Sequence, residues 1–261
     1  MRAAPGQRCR ERGVGPVAFL ESVDNGLRLL LFVANTARVS VSEAAAELGV
    51  APSTAHRLLA TLRYRGFVVQ GRDRTYRPGP AMEELVTARI LRANLAAIAL
   101  PHLQRLRDET DETTHAMVLM GRQVRVIASC ESTQVLRVGI RDGAMLPAHY
   151  ASAGRMLLSA LPPEQFDAAY PKEGVPQAGL TASAVAGLRR DLAVCRKTGY
   201  AVNAGQTERG LTAVGVLVTG ADGPVGGISV SLPSVRYHKD NLAGLVAALH
   251  RAADAISAEL H

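Results

Sequence analysis

Two sets of side chains in this 261-residue sequence have types and spacings that could do chemistry. The first begins with Ser53, Thr54, His56 and Arg57, crowded at the front of one helix-like segment. Ser42 precedes that segment, Arg63 lies further along it, and Arg72 and Arg74 sit in a glycine-led turn beyond it. Short polar groups and guanidinium forks at the front of a helix suit base edges in a DNA major groove. Arginines on a turn suit phosphates or a minor groove. The second set lies in the remainder of the chain. Ser229 and Ser231 are two apart, so on a strand both hydroxyls face one side. Ser152-Ala153-Gly154 opens a helix whose free backbone N–H groups favour a carboxylate.

Catalytic signatures are missing. There is no P-loop, no G-x-G-x-x-G after a strand, no H-E-x-x-H and no nucleophile elbow with Ser/His/Asp order. Glu131 and Asp142 are acids that nothing in the sequence brings together. His102, His115 and His149 lack a metal-ligand spacing, so neither a metal nor a cofactor is expected. Cys9, Cys130 and Cys195 are few and far apart, which argues against a disulfide framework and makes Cys130 a core thiol. The expectation is a binding protein and not an enzyme. The alternative is an enzyme or ligand-binding protein whose N-terminal helices dock a protein.

Charge sharpens the division. Residues 1–80 hold twelve arginines, no lysine and six acids, a surplus of six. Residues 81–261 hold 18 basic and 17 acidic residues, a surplus of one. A basic module joined to a nearly neutral one is what phosphate neutralisation by one domain requires. With no Trp and 4% aromatics, base stacking on aromatic platforms is not expected. The first 16 residues are rich in Arg and Gly and have no apolar core, so they read as a basic tail and not as a secretory signal. No apolar run is long enough to span a membrane, and a cytoplasmic protein is expected.

The elements that must position these groups are legible in part. Ser22–Ala34 reads as a helix capped by Ser22, with Val23, Leu27, Leu30 and Leu31 on its inner face. Ser40–Leu48 reads as a second helix, capped by Ser40 or Ser42 and closed by Gly49. Pro52 opens a third, which runs to Arg65 and stops at Gly66, with Leu58, Leu59 and Leu62 turned inward. Phe67–Gln70 and Thr75–Arg77 flank a basic turn as a hairpin. Helix, turn, helix and basic hairpin make a winged helix-turn-helix.

A linker helix is expected over Ala81–Leu100, interrupted by Pro101 and resumed over His102–Glu112. Beyond it, strands are expected at His115–Met120, Gln123–Cys130, Val135–Ile140, Leu211–Thr219 and Val225–Leu232. Helices are expected at Ser152–Ala160, from Leu161 onward, at Thr181–Thr198 and at Lys239–Leu260. Gly226 and Gly227 suggest close packing or a bulge. The class is α+β, with an antiparallel sheet and flanking helices in the second part. The domains are then 1–18 tail, 19–80 winged helix-turn-helix, 81–100 linker helix, and an α+β domain over 101–261.

The sequence also resembles a known family. Ser22-Val23-Asp24-Asn25-Gly26-Leu27-Arg28-Leu29-Leu30, Val41 to Val50, Ser53 to Leu62 and Gly66-Phe67-Val68 resemble the N-terminal domain of IclR-type regulators. Pro147 to Leu158, Gly199 to Asn203 and Gly226 to Pro233 resemble their C-terminal domain, so the likeness covers about residues 20–255. It implies that 101–261 is a GAF-like effector-binding and oligomerisation domain, with dimers or dimers of dimers on double-stranded operator DNA, and a small organic effector, a carboxylate or an aromatic. It also implies a regulator, more often a repressor than an activator. Carried over by position, the pocket would be lined by Leu146, Ser152, Ala153, Asn203, Ala213, Ser229 and Ser231. Relatives that bind small 2-oxo acids carry Asp and Cys near the positions of Asn203 and Ala213, so the effector here is expected to differ.

Overall fold

The computed structural model describes residues 20–36 and 38–260, without the side chains of 83–89. The expected tail, residues 1–18, and Cys9 lie outside the described residues. The chain divides into two compact units between Arg89 and Ile90.

The first unit holds α1 (Glu21–Ala34), α2 (Val41–Leu48), α3 (Pro52–Tyr64) and a hairpin of β1 (Val68–Gln70) and β2 (Tyr76–Pro78). Local chemistry sets its boundaries. The Ser40 hydroxyl accepts from the Glu43 N–H at 3.2 Å, and the Glu43 carboxylate accepts from the Ser40 N–H at 2.7 Å, a complete capping box. Gly49 closes α2 in the left-handed region, φ 69°, where a Cβ would be strained. Pro52 supplies the first turn of α3 at no hydrogen-bond cost. Leu29, Val33, Ala44, Leu48, Leu59 and Tyr76 share one core. Val39 exchanges two backbone hydrogen bonds with Tyr76, at 2.8 and 2.7 Å, and extends the hairpin by one bridge.

Two expectations for α1 are corrected. It starts after Leu20 with no side-chain cap, so Ser22 lies inside the first turn. Leu29 and Val33, with Asn25, face the core, while Val23, Leu27 and Leu31 face solvent. Two leucine-rich stripes run along α1, and periodicity alone does not choose between them.

Helix α4 runs unbroken from Pro80 to Thr110, so Pro101 does not interrupt it. The missing N–H is tolerated because Ala99, Leu103 and Leu106 bury the turns on both sides of it in the second unit's core.

The second unit is built on six antiparallel strands: β3 (Thr113–Met120), β4 (Gln123–Cys130), β5 (Met145–Pro147), β8 (Ala201–Ala204), β9 (Leu211–Gly220) and β10 (Gly223–Pro233). Their order is β5-β4-β3-β10-β9-β8. Between β5 and β8 come α5 (Ser152–Ala160), α6 (Pro163–Ala169), a small β6/β7 pair (Gly174–Val175, Leu180–Thr181) and α7 (Ala182–Thr198). Helix α8 (Leu242–Glu259) follows β10, and a short 3-10 turn over Lys239–Asn241 precedes it, so the C-terminal helix starts later than expected.

Strand alternation sorts the sheet's two faces. Ala116, Val118, Val214, Val216, Ile228 and Val230 point to a core shared with α4 and α8. Met117, Val124 and Val126 point to a second core under α5 and α7. Gly226 sits at a register shift in β10, and a Cβ on Gly227 would meet the Val216 carbonyl oxygen at 2.9 Å, so both the bulge and the close packing are present.

The strand expected over Val135–Ile140 does not form. The Ser132 hydroxyl donates to the Asp111 carbonyl at 2.7 Å and the Thr133 hydroxyl to its carboxylate at 3.1 Å, which holds the segment as a loop. The sheet edge it would need is taken by β5, and Val135 is 97% exposed. β-branched composition does not make a strand without a ladder to join.

Candidate DNA-reading face and buried polar pocket

On α3, Ala55 and Leu59 are buried, which turns Ser53, Thr54, His56 and Arg57 outward together. Ser42 is exposed at the start of α2, its hydroxyl 3.0 Å from that of Ser40. Arg63 is exposed, and its guanidinium donates to Gln70 at 2.6 Å, tying α3 to the hairpin. Arg72 and Arg74 are exposed at the hairpin tip, where Arg74 takes a left-handed φ of 63°. Asp73 shapes that tip. Its carboxylate accepts from the Thr75 N–H and hydroxyl at 3.1 and 2.8 Å, bonds that lower its pKa, and it pairs with Arg38 at 3.0 Å. Helix front and hairpin tip are thus two sets of exposed donors, one on a regular element and one on a turn stiffened by its own acid.

In the second unit, β3, β10, β9 and β8 bring two rows of residues to one place. His115 pairs across to Ser229, and Ser229 to Gly215. Thr113 pairs to Ser231, Ser231 to Ala213, and Ala213 to Asn203. Gly215 admits the start of α5, because a Cβ there would lie 2.5 Å from the Ala153 nitrogen. The result is a small cavity with about 20 Å³ of open space, enough for one water.

Of the residues expected to line a pocket, Leu146, Ser152, Asn203, Ala213, Ser229 and Ser231 do so. Ala153 is not among them, since it packs on Gly215 and Gly227. His115, Met117, Arg141, Ala151, Thr207 and Leu211 line it as well. These are the residues that sequence reasoning missed. His115 is the instructive one, because its place opposite Ser229 depends on pairing two strands more than 100 residues apart.

The polar groups of the cavity are unevenly satisfied. Both ends of the Asn203 amide are engaged: its oxygen accepts from the Gln206 N–H at 2.8 Å and its nitrogen donates to Thr207 at 2.6 Å, holding the loop between β8 and β9. Arg155 supports that loop by donating to the Val202 carbonyl and to Gln206, while it pairs with Asp191 on α7. By contrast, His115 Nε2 and Ser229 Oγ are buried with no partner among the described residues. Burial, with the nearby Arg141 charge second, pushes His115 down to a pKa of about 4, so the ring is neutral at pH 7.

The other histidines lie apart. His102 on α4 pairs with Glu259 at 2.8 Å, and His149 contacts the Tyr170 hydroxyl at 3.4 Å. Cys130 is buried, as expected of a core thiol, and burial raises its pKa. Glu131 pairs with Arg137 at 3.1 Å. Among the described residues, no helix is long and apolar enough to cross a membrane.

Residues 22–72 match the IclR helix-turn-helix domain, and residues 87–258 match the family described as bacterial transcriptional regulator IclR C-terminal. The acetate operon repressor of Salmonella typhimurium is 30% identical over 91% of this chain and 89% of its own length. Among solved structures, the IclR of Thermotoga maritima has a TM-score of 0.57 at 28% identity, covering 92% of this chain and 98% of that one. An IclR homologue from Microbacterium hydrocarbonoxydans, complexed with 4-hydroxybenzoate, has the same fold at a TM-score of 0.57 and 24% identity, covering 92% and 98%. With both units matched and a repressor aligned along nearly the whole chain, this protein belongs to the IclR family and is a DNA-binding transcriptional regulator.

Proposed function

We propose that the protein is a repressor that binds a palindromic operator as a dimer or dimer of dimers, and that a small organic acid or aromatic compound in the sheet-side cavity sets its operator affinity. The observation that carries the effector reading is the pair of buried, unpartnered polar atoms, His115 Nε2 and Ser229 Oγ, in a small cavity. Such groups cost stability unless something completes them. Ser152, Ser231, Leu146 and Ala213 line the same space, while Asn203 holds its loop. Self-association is supported by the exposed stripe of Leu20, just before α1, and Val23, Leu27 and Leu31 on it, an apolar face that a second copy would cover.

In this reading Ser53, Thr54, His56 and Arg57 meet base edges, while Ser42, Arg63, Arg72 and Arg74 meet the backbone. Effector binding favours one dimer state. The spacing of the two recognition helices, and with it the fit to half-sites one helical turn apart, then changes.

The test uses DNA from the protein's own upstream region against random duplex, at two salt concentrations. Preference for the upstream DNA, with affinity falling as salt rises, supports the reading. Arg57→Ala then lowers affinity for the specific duplex alone, whereas Arg72→Ala weakens binding to both. Equal losses from the two variants refute this division of labour. An affinity that never changes across a titration of 4-hydroxybenzoate and related acids removes the effector from the proposal.

A further inference from the structure

Among the described residues, Arg141 is the one formally charged side chain lining the cavity, and no carboxylate lines it. The Arg141 side chain is 26% exposed and reaches Glu208, a 58% exposed acid on the β8–β9 loop. That loop is bounded by Gly205 and Gly210, both in the left-handed region at φ 76° and 80°, conformations that suit a hinge. The ion pair therefore ties the segment after β4 to the segment after β8 beside the cavity. Its outer member is well solvated, so the pair is weak and easily exchanged.

The neighbouring groups are set to receive an acceptor. The Ser129 hydroxyl lies 3.0 Å from His115 Nδ1 and accepts from the Arg141 backbone N–H at 3.5 Å. Ser129 can then donate its own proton to Nδ1, and in that tautomer the neutral ring carries its proton on Nε2. His115 Nε2 is then a donor with nothing to bond, as is Ser229 Oγ. A guanidinium in a lining without a carboxylate, beside a ring nitrogen and a hydroxyl both able to donate, favours an anion over a cation or a purely apolar molecule.

We propose that Arg141 and His115 determine specificity in this cavity for a small organic anion whose carboxylate displaces Glu208 from Arg141, and that this exchange releases the β8–β9 loop. The proposal rests on the reading of the cavity as an effector site. Arg141 gives up a solvated partner for a drier one, so ligand charge is converted into loop freedom; the free cavity holds about one water, so either an acid or its uncharged analogue must widen it, and only the acid breaks the tie.

The test is calorimetric titration of the full-length protein with pyruvate, benzoate and 4-hydroxybenzoate, each against its own amide, with hydrogen exchange followed across residues 205–210. At least one acid is expected to bind about tenfold or more tightly than its amide, the usual scale for a charge-assisted hydrogen bond, and to speed exchange in the loop. Arg141→Met is expected to erase the acid's advantage and leave the amide unchanged. Glu208→Gln, a surface change that leaves the fold intact, is expected to tighten the acid several-fold by removing its competitor. Acid and amide binding alike, or Glu208→Gln weakening the acid, overturns the anion exchange while leaving the effector pocket standing. If neither acids nor amides bind at millimolar concentration, the pocket and the exchange both fall.

Discussion

Replacing Ser229 with alanine should make the protein more stable and less able to bind the proposed effector. The Ser229 side chain is fully buried in β10, opposite His115 and Gly215, and its hydroxyl has no partner. A buried polar group without a hydrogen bond costs about 1–3 kcal/mol. Ser229→Ala removes that cost, and the atom lost adds little to a void of about 20 Å³, so the packing penalty is small. The net gain is about 1 kcal/mol, which for a unit the size of residues 90–261 raises the melting temperature by roughly 2–4 °C. Thr113→Val is the control: it keeps the shape but breaks two bonds, one donated to the Val138 carbonyl at 2.5 Å and one accepted from the Ser132 N–H at 3.0 Å. It should cost about 1–2 kcal/mol. Calorimetry and urea midpoints measure both, and ligand titration of Ser229→Ala measures the second half of the claim. If Ser229→Ala destabilises as Thr113→Val does, the hydroxyl is already satisfied, by a water in the cavity, and the argument from unpartnered groups fails.

Acid should weaken the fold through His115. Its folded pKa of about 4 lies below the ordinary 6.5, so the unfolded chain takes up the proton first, and stability is full above about pH 6.5, falls toward pH 4 and levels below it. The loss reaches about 2 kcal/mol by pH 5. His149, also lowered by burial, acts in the same sense, so urea midpoints of His115→Asn should keep only the shallower part of the slope; an unchanged slope would show that His115 is not the group responsible. Gly215→Ala forces a Cβ to within 2.5 Å of the Ala153 nitrogen and 2.9 Å of its Cα, backbone atoms that cannot step aside, and should cost about 3 kcal/mol together with ligand binding. Gly187→Ala on α7, whose nearest neighbour is the Arg190 guanidinium at 3.8 Å, should instead stabilise by about 0.5–1 kcal/mol. If Gly215→Ala melts with the wild type, the close approach of α5 to the sheet is not real.

The first unit was largely legible because its signals are local. The Ser40–Glu43 box, Gly49, Pro52 and Gly66 each lie within a few residues of the boundary they set. The helix front then follows from the helix itself: once Ala55 and Leu59 turn inward, Ser53, Thr54, His56 and Arg57 must turn out. The errors fell where a distant partner decides. Val23, Leu27 and Leu31 have core periodicity yet face solvent, because α2 and α3 pack on the stripe of Leu29 and Val33. Val135–Ile140 has strand composition but no open edge. Pro101 reads as a break, and the buried turns around it overrule that reading. The spacing of Ser229 and Ser231 put both hydroxyls on one side of a strand, and the family resemblance set that side in a pocket. His115 and Arg141 stayed hidden because strand order and loop course, not local pattern, bring them to the same wall.

Strand β10 shows how one segment serves stability and recognition together. Its even positions, Ile228, Val230 and Leu232, are buried apolar residues, and the first two join the core with α4 and α8. Its odd positions, Gly227, Ser229 and Ser231, give up apolar burial, first to admit α5 and then to line a polar cavity. A protein selected for stability alone would fill that face with valines. Keeping an unpartnered serine hydroxyl opposite a histidine whose Nε2 is unpartnered leaves the chain short of two hydrogen bonds that a ligand could make. The deficit is itself part of the binding energy: a molecule that completes both groups gains their desolvation cost, already incurred on folding, in addition to its own contacts. In the proposed reading, the free and bound states differ most in this cavity and in the loop that Asn203, Arg155 and Arg141 hold beside it, and a signal to the DNA-binding unit would begin there.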